Sequence, residues 1–185
     1  MSNGYPTHSI ETASDAARPL FERARRAFGH VPNVFAKMAE SPALFEAYLA
    51  VDEIFESKTK FTPLERHAIM QAANRANGCR YCLAAHGHGA VHSGVATAEI
   101  DRRLREGQPT GDARLDALHH FTTRMIEQRG WIEPPELAAF LAAGFTREQV
   151  LDIVLAVSLK SMSNYANHIT HPEIDARYRE PAIAD

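Results

Sequence analysis

Apolar residues recur at three- and four-residue spacing along most of this chain, and no run of strictly alternating apolar and polar residues interrupts them. The pattern predicts helices throughout. The first runs from about Ala16 to Phe28, with Asp15 as N-cap, Leu20, Ala24 and Ala27 to Phe28 on its apolar face, and Gly29 as its stop. A short helix from about Asn33 to Glu40 follows, and Ser41-Pro42 opens a longer one reaching about Ser57. Thr62-Pro63-Leu64-Glu65 reads as a capping box for a helix to about Asn77. Asn77-Gly78 ends that helix in a left-handed turn and delivers the chain to a further helix over 79–93. Shorter helices are expected from Thr97 to Arg105, from Asp112 to Arg129 and from Pro134 to Ala143. The last helix starts at Thr146, and its run Val150, Ile153, Val154, Leu155, Val157 and Leu159 is apolar nearly all round, as in a segment buried on more than one side, here between subunits. The expected fold is therefore all-α and oligomeric, with a polar N-terminal arm over residues 1–15, one helical domain over 16–175 and a surface tail over 176–185.

Composition narrows the function classes. The chain has 185 residues, enough for one domain with a sizeable core, and a formal net charge of −3. It carries no basic field for nucleic acid and no apolar stretch long enough to span a membrane. The start, MSNGYPTHSIETASD, lacks the charged and apolar regions of a secretory signal, and the two cysteines at redox spacing suit a reducing cytoplasm.

Those cysteines, Cys79 and Cys82, stand at C-x-x-C spacing with His86 four residues on. At the start of a helix Cys82 lies in the first turn, where unpaired backbone N–H groups and the helix dipole favour a thiolate. His86 falls one turn later on the same face and can move its proton. Residues three apart on a helix have Cα atoms about 5 Å apart, within reach of a disulfide, so Cys79 can resolve an oxidised Cys82. Two other uses fit the same spacing. A zinc site would take His86 with His88 or His92, but all its ligands would crowd into fourteen residues. A structural bridge would close so short a loop that it removes little chain entropy. Redox chemistry is the favoured reading, with no metal and no cofactor.

The segment N-G-C-R-Y-C-L-A-A-H, preceded by the T-P-L-E-R helix start and followed later by S-N-Y-A-N-H-I-T-H, resembles the AhpD-like alkylhydroperoxidase branch of the carboxymuconolactone decarboxylase family from about Val31 to Asp175. That resemblance implies an all-helical homo-oligomer that reduces hydroperoxides, with Cys82 attacking, Cys79 resolving and His86 relaying protons. An external dithiol, protein-borne or lipoyl-type, would reset the pair. The family's relay glutamate, twelve residues before the first cysteine, is His67 here, and Arg80 and Tyr81 stand between the cysteines. His67 is expected either to take over the relay or to mark its loss. Asn164 and Tyr81 are the expected substrate contacts, and Asn167 and His168 stand in the same late segment. The alternative function is a disulfide oxidoreductase or redox sensor that uses the same cysteines.

Overall fold

In the computed structural model, which describes residues 4–179, nine α-helices and one short 3-10 turn account for the regular structure, and no strand occurs among the described residues. The helices are α1 (Arg18–Phe28), α2 (Asn33–Met38), α3 (Pro42–Lys58), α4 (Pro63–Ala76), α5 (Arg80–His92), α6 (Ala98–Glu106), α7 (Ala113–Glu127), α8 (Pro134–Ala142) and α9 (Arg147–Thr170). The start signals work as their chemistry requires. Ser41 accepts from the Leu44 N–H, and Thr62 and Glu65 cap each other's backbone at 3.2 and 2.8 Å. The pair Thr146 and Gln149 builds the same box at the head of α9.

The expected cap of α1 is a correction. Asp15 pairs with the Arg18 guanidinium at 2.7 Å, and the helix opens after Ala17, whose N–H and that of Arg18 both bond the Ser14 carbonyl. A backbone acceptor one turn upstream does the work assigned to the aspartate. Residues ahead of it lie on α2: the His8 N–H bonds the Ala36 carbonyl at 3.0 Å and its ring meets Glu40 at 2.7 Å.

α4 lies centrally, in contact with α5, α6, α7 and α9, while α9 also packs along α3. Phe45, Phe55, Ile69, Leu118, Ile153 and Leu159 are fully buried between these helices. Each such side chain contributes about 1.5–3 kcal/mol from lost water contact, so α3, α4, α7 and α9, which carry them, are the rigid frame of the site. Within this one chain α9 buries a single side. Ile153, Ala156 and Leu159 face the core, but Leu151, Val154, Tyr165 and Ile169 stay exposed on the outer side. No described helix is long and apolar enough to cross a membrane.

Candidate active site

The turn between α4 and α5 sets the chemistry. Gly78 adopts φ +67°, where a Cβ would clash with its own backbone, and the Cys79 N–H returns to the Asn74 carbonyl at 2.8 Å. Cys79 thereby becomes the N-cap of α5, and Cys82 occupies its first turn. Both are free thiols and both are buried. From α9, the Asn167 side-chain amide donates to Cys82 Sγ at 3.1 Å and lies 3.5 Å from Cys79 Sγ. The Ser163 hydroxyl stands 4.0 Å from Cys82 Sγ.

These contacts split the pair. Cys82 is pushed down to about 5 by the hydrogen bond from Cys79, with the Lys160 charge and the Asn164 and Ser163 groups adding to it, and together they outweigh burial. Cys79 moves the other way, because its proton is held against Cys82 and because it is buried. Cys82 is the thiolate and Cys79 the thiol.

Lys160 is the residue sequence reasoning missed. It sits 1% exposed in the middle of α9, and its ammonium donates to His86 Nε2 at 2.9 Å. Burial, then Lys160, then His67 hold the His86 ring well below the ordinary imidazole range, so it is neutral and carries its proton on Nδ1. The signal was present: Lys160, Ser163, Asn164 and Asn167 recur at helical spacing on one face of α9.

His67 stands where the resemblance puts a glutamate, and a carboxylate reaches it from another helix. Asp101 of α6 accepts from His67 Nε2 at 3.0 Å and from the Gln71 amide at 2.7 Å, and Arg105 pairs with its second oxygen at 2.8 Å. Burial pushes the Asp101 carboxyl up, but the His67, Gln71 and Arg105 contacts prevail and hold it low. Asp101 fits because α5 carries glycine opposite it. A Cβ on Gly87 would lie 2.7 Å from Asp101 Oδ2, whereas one on Gly89 would meet nothing within 4 Å. Gly87 thus admits the Asp101 carboxylate into the contact between α5 and α6. Gly87→Ala gains helix propensity of up to about 1 kcal/mol but forces apart a carboxylate held by three partners, which costs more. We expect a net loss of about 1–2 kcal/mol, read as a fall of about 5 °C in Tm by calorimetry.

The other expected residues divide. Asn164 is fully buried: its amide donates to Asn74 Oδ1 at 3.1 Å and its oxygen accepts from Asn77 at 2.9 Å. It lies behind the thiols and is not among the residues that line the cavity. Asn74 in turn donates to Gln71, which closes a polar chain from Asp101 to Asn164 and satisfies each buried amide on the way. Tyr81 does reach the cavity, but its hydroxyl donates to Asp175 at 2.5 Å and accepts from the Val34 N–H at 3.2 Å, leaving the ring as its contribution. His88 and His92 stack on each other, with ring centroids 5.6 Å apart. His168 is exposed beyond the cysteines.

Cys82, His86, His67 and Lys160 converge on one cavity of about 280 Å³. Phe28, Phe35, Tyr48, Tyr81 and Tyr178 give it aromatic walls. Asp52 also faces it, with its carboxyl raised to about 6 by burial and by Glu56 against the opposing pull of Lys160. A thiolate, a second thiol and a buried cation beside a neutral histidine can reduce a small electrophile by two electrons and supply its proton.

The helical frame and this thiol pair define an AhpD-like fold. It is shared with an uncharacterized peroxidase-related protein with an alkylhydroperoxidase AhpD core from Ralstonia eutropha JMP134 (TM-score 0.82, 23% identity, over 94% of this chain and 93% of that one). A peroxidase-related protein from Silicibacter sp. TM1040 matches similarly (TM-score 0.80, 23% identity, 97% and 94%). So does a cysteine-to-alanine variant of the debrominase Bmp8 in complex with 2,3,4-tribromopyrrole (TM-score 0.81, 17% identity, 97% and 95%). Residues 42–123, from α3 into α7 and including both cysteines, match the sequence profile of the Carboxymuconolactone decarboxylase family, as the motif resemblance implied. No curated protein matches the chain significantly.

Proposed function

We propose that this protein is a thiol-dependent peroxidase that reduces organic hydroperoxides. The observation that carries the reading is the split pair, a Cys82 thiolate facing an aromatic-walled cavity with the Cys79 proton and the Lys160 charge directed at it. In the first step the Cys82 thiolate attacks the terminal oxygen of the hydroperoxide, the O–O bond breaks, and a sulfenic acid and an alkoxide form. The alkoxide takes the Nδ1 proton of His86, and Lys160 replaces it at Nε2. Asp101 keeps His67 oriented beside this relay. Cys79 then attacks the Cys82 sulfur and its proton leaves with the hydroxide as water. The products are an alcohol, water and a Cys79–Cys82 disulfide, which an external dithiol returns to thiol and thiolate with one proton for Lys160. Cys82, the attacking sulfur, is nearly closed to solvent at 4% exposure, which favours a small oxidant over a folded protein's disulfide. The exposed apolar line on α9, Leu151, Val154, Tyr165 and Ile169, supports a homo-oligomer.

The aromatic cavity walls favour a second substrate class for the same thiols, haloaromatic rings, and the debrominase of like fold acts in that class by its name. There Cys82 would attack bromine, the C–Br electrons and a proton would stay with the ring, and Cys79 would displace bromide to give the same disulfide. One titration separates the two. With one equivalent of cumene hydroperoxide the peroxidase loses two hydrogens by intact mass, digestion shows Cys79 joined to Cys82, and brominated pyrrole releases no bromide. Bromide release without a reaction toward hydroperoxide would replace the first reading by the second.

A further inference from the structure

The two cysteines open to different spaces. Cys82 lines the aromatic-walled cavity and Cys79 does not, whereas Cys79 lines a separate cleft of about 640 Å³ and Cys82 does not. Tyr81, pinned by Asp175 and Val34, is the partition common to both. The cleft is built where the start of α5 meets the end of α9. Besides Cys79 and Tyr81 its charged and titratable side chains are Arg80, His168 and His171, and no carboxylate among the described residues lines it. The first N–H groups of α5, at Arg80 and Tyr81, belong to the same wall and add the positive end of a helix. Asn167 forms another part of it. That residue is 5% exposed and spends its amide on the sulfurs, while its buried Oδ1 has no hydrogen-bond partner among the described residues. A buried acceptor left open beside a thiol is suited to an incoming S–H or N–H group.

We propose that this cleft is the docking site of the reductant, and that the reductant is a dithiol on a narrow, anionic carrier that attacks Cys79 rather than Cys82. The proposal rests on the thiol-exchange half of the function above and adds where and in which direction the disulfide is opened. Sulfur chemistry sets the same direction as access. In exchange the thiol with the lower pKa leaves faster, and Cys82 is the stabilised thiolate, so attack at Cys79 expels the better leaving group. The incoming thiolate forms a bond to Cys79 Sγ, the Cys79–Cys82 bond breaks, and the electron pair departs on Cys82, back into the field of Lys160 and Asn167. The carrier's second thiol then attacks its own first sulfur. Cys79 is released and takes up a proton, and the carrier leaves as a disulfide. Two electrons have passed to the protein. Substrate and reductant thus reach the pair from opposite sides of Tyr81, and neither has to vacate the other's space.

The test uses full-length protein oxidised by diamide, so that no peroxide is involved and the outcome is independent of the peroxidase step. It is mixed with 3-mercaptopropionate or with its uncharged amide, quenched with iodoacetamide, and digested for mass mapping. The expected product carries the mixed disulfide on Cys79 and the alkyl group on Cys82. Per thiolate, the carboxylate reagent is expected to react about fivefold faster than the amide, and Arg80→Glu to abolish or invert that ratio. Adducts on Cys82 overturn the direction of attack. Equal rates for the two reagents, unchanged by Arg80→Glu, overturn the anionic carrier.

Discussion

Cys82→Ser is expected to abolish oxidation by hydroperoxide, with a rate at least about a thousandfold below the parent, whereas Cys79→Ser reacts once and stops. The difference follows from the split in the pair. Only Cys82 holds a thiolate at neutral pH, and only Cys82 faces the cavity. Cys79→Ser still presents a nucleophile to the peroxide, but nothing can displace hydroxide from the sulfenic acid that forms. Dimedone should therefore label Cys82 in the Cys79→Ser protein and label little in the parent, where the disulfide closes first. Loss of the Cys79 thiol also removes the first contribution to Cys82 ionisation, so its midpoint rises above about 5 in that variant. Labelling of Cys79 in the parent or in Cys82→Ser, or no labelling of Cys82 in Cys79→Ser, would contradict the assignment.

Lys160→Met is expected to lower the rate of Cys82 oxidation by about 10²–10³, and its pH profile distinguishes two causes. A positive charge nearby favours the thiolate, so removing it raises the Cys82 midpoint, by about 1–2 units from about 5. The alkylation rate with iodoacetamide, flat above about pH 6 in the parent, would then still be rising at pH 7. Ionisation alone does not make this thiolate fast. A free thiol with a pKa near 8.5 is only a few per cent ionised at pH 7, so full ionisation gains about 30-fold. The same fall in pKa costs about 30–40-fold in intrinsic nucleophilicity at a Brønsted slope of about 0.45. The two nearly cancel, and acceleration must come from protonating the departing alkoxide. Lys160→Met should therefore stay slow at pH 9, where its Cys82 is fully ionised. Recovery of the parent rate at pH 9 would reduce Lys160 to a charge that merely ionises the sulfur.

The fold was legible where helix ends carry side-chain caps. Ser41-Pro42, the Thr62–Glu65 box and the Thr146–Gln149 pair are short-range devices, and the chain states them within four residues. Asp15 misled because a backbone carbonyl, that of Ser14, took the role a side chain advertised. The site divides along the same line. Gly78, Cys79 and Cys82 form one turn and the start of one helix, so their relation is local. Lys160, Asp101 and Asn167 reach them from α9 and α6, over 78, 19 and 85 residues from Cys82, and only packing brings them in. A lysine inside Leu155 to Met162 reads in isolation as an interruption of an apolar helix. Its meaning emerges with Ser163, Asn164 and Asn167 on the same face, turned toward sulfur. His67 shows how a pattern match hides a solution: the carboxylate sought on α4 is present, but α6 supplies it and Gly87 makes the room.

The most direct measurement is the second-order rate constant for Cys82 oxidation by cumene hydroperoxide at pH 7, followed in single turnover by rapid quench with N-ethylmaleimide and intact mass, beside a free thiol of the same concentration. The account expects the protein to react at least about a hundredfold faster than the free thiol, the margin a positioned proton donor supplies, with the Cys79–Cys82 disulfide as product. A rate equal to that of the free thiol would contradict it, because a thiolate lowered to about 5 with no acceleration has been built for something other than peroxide.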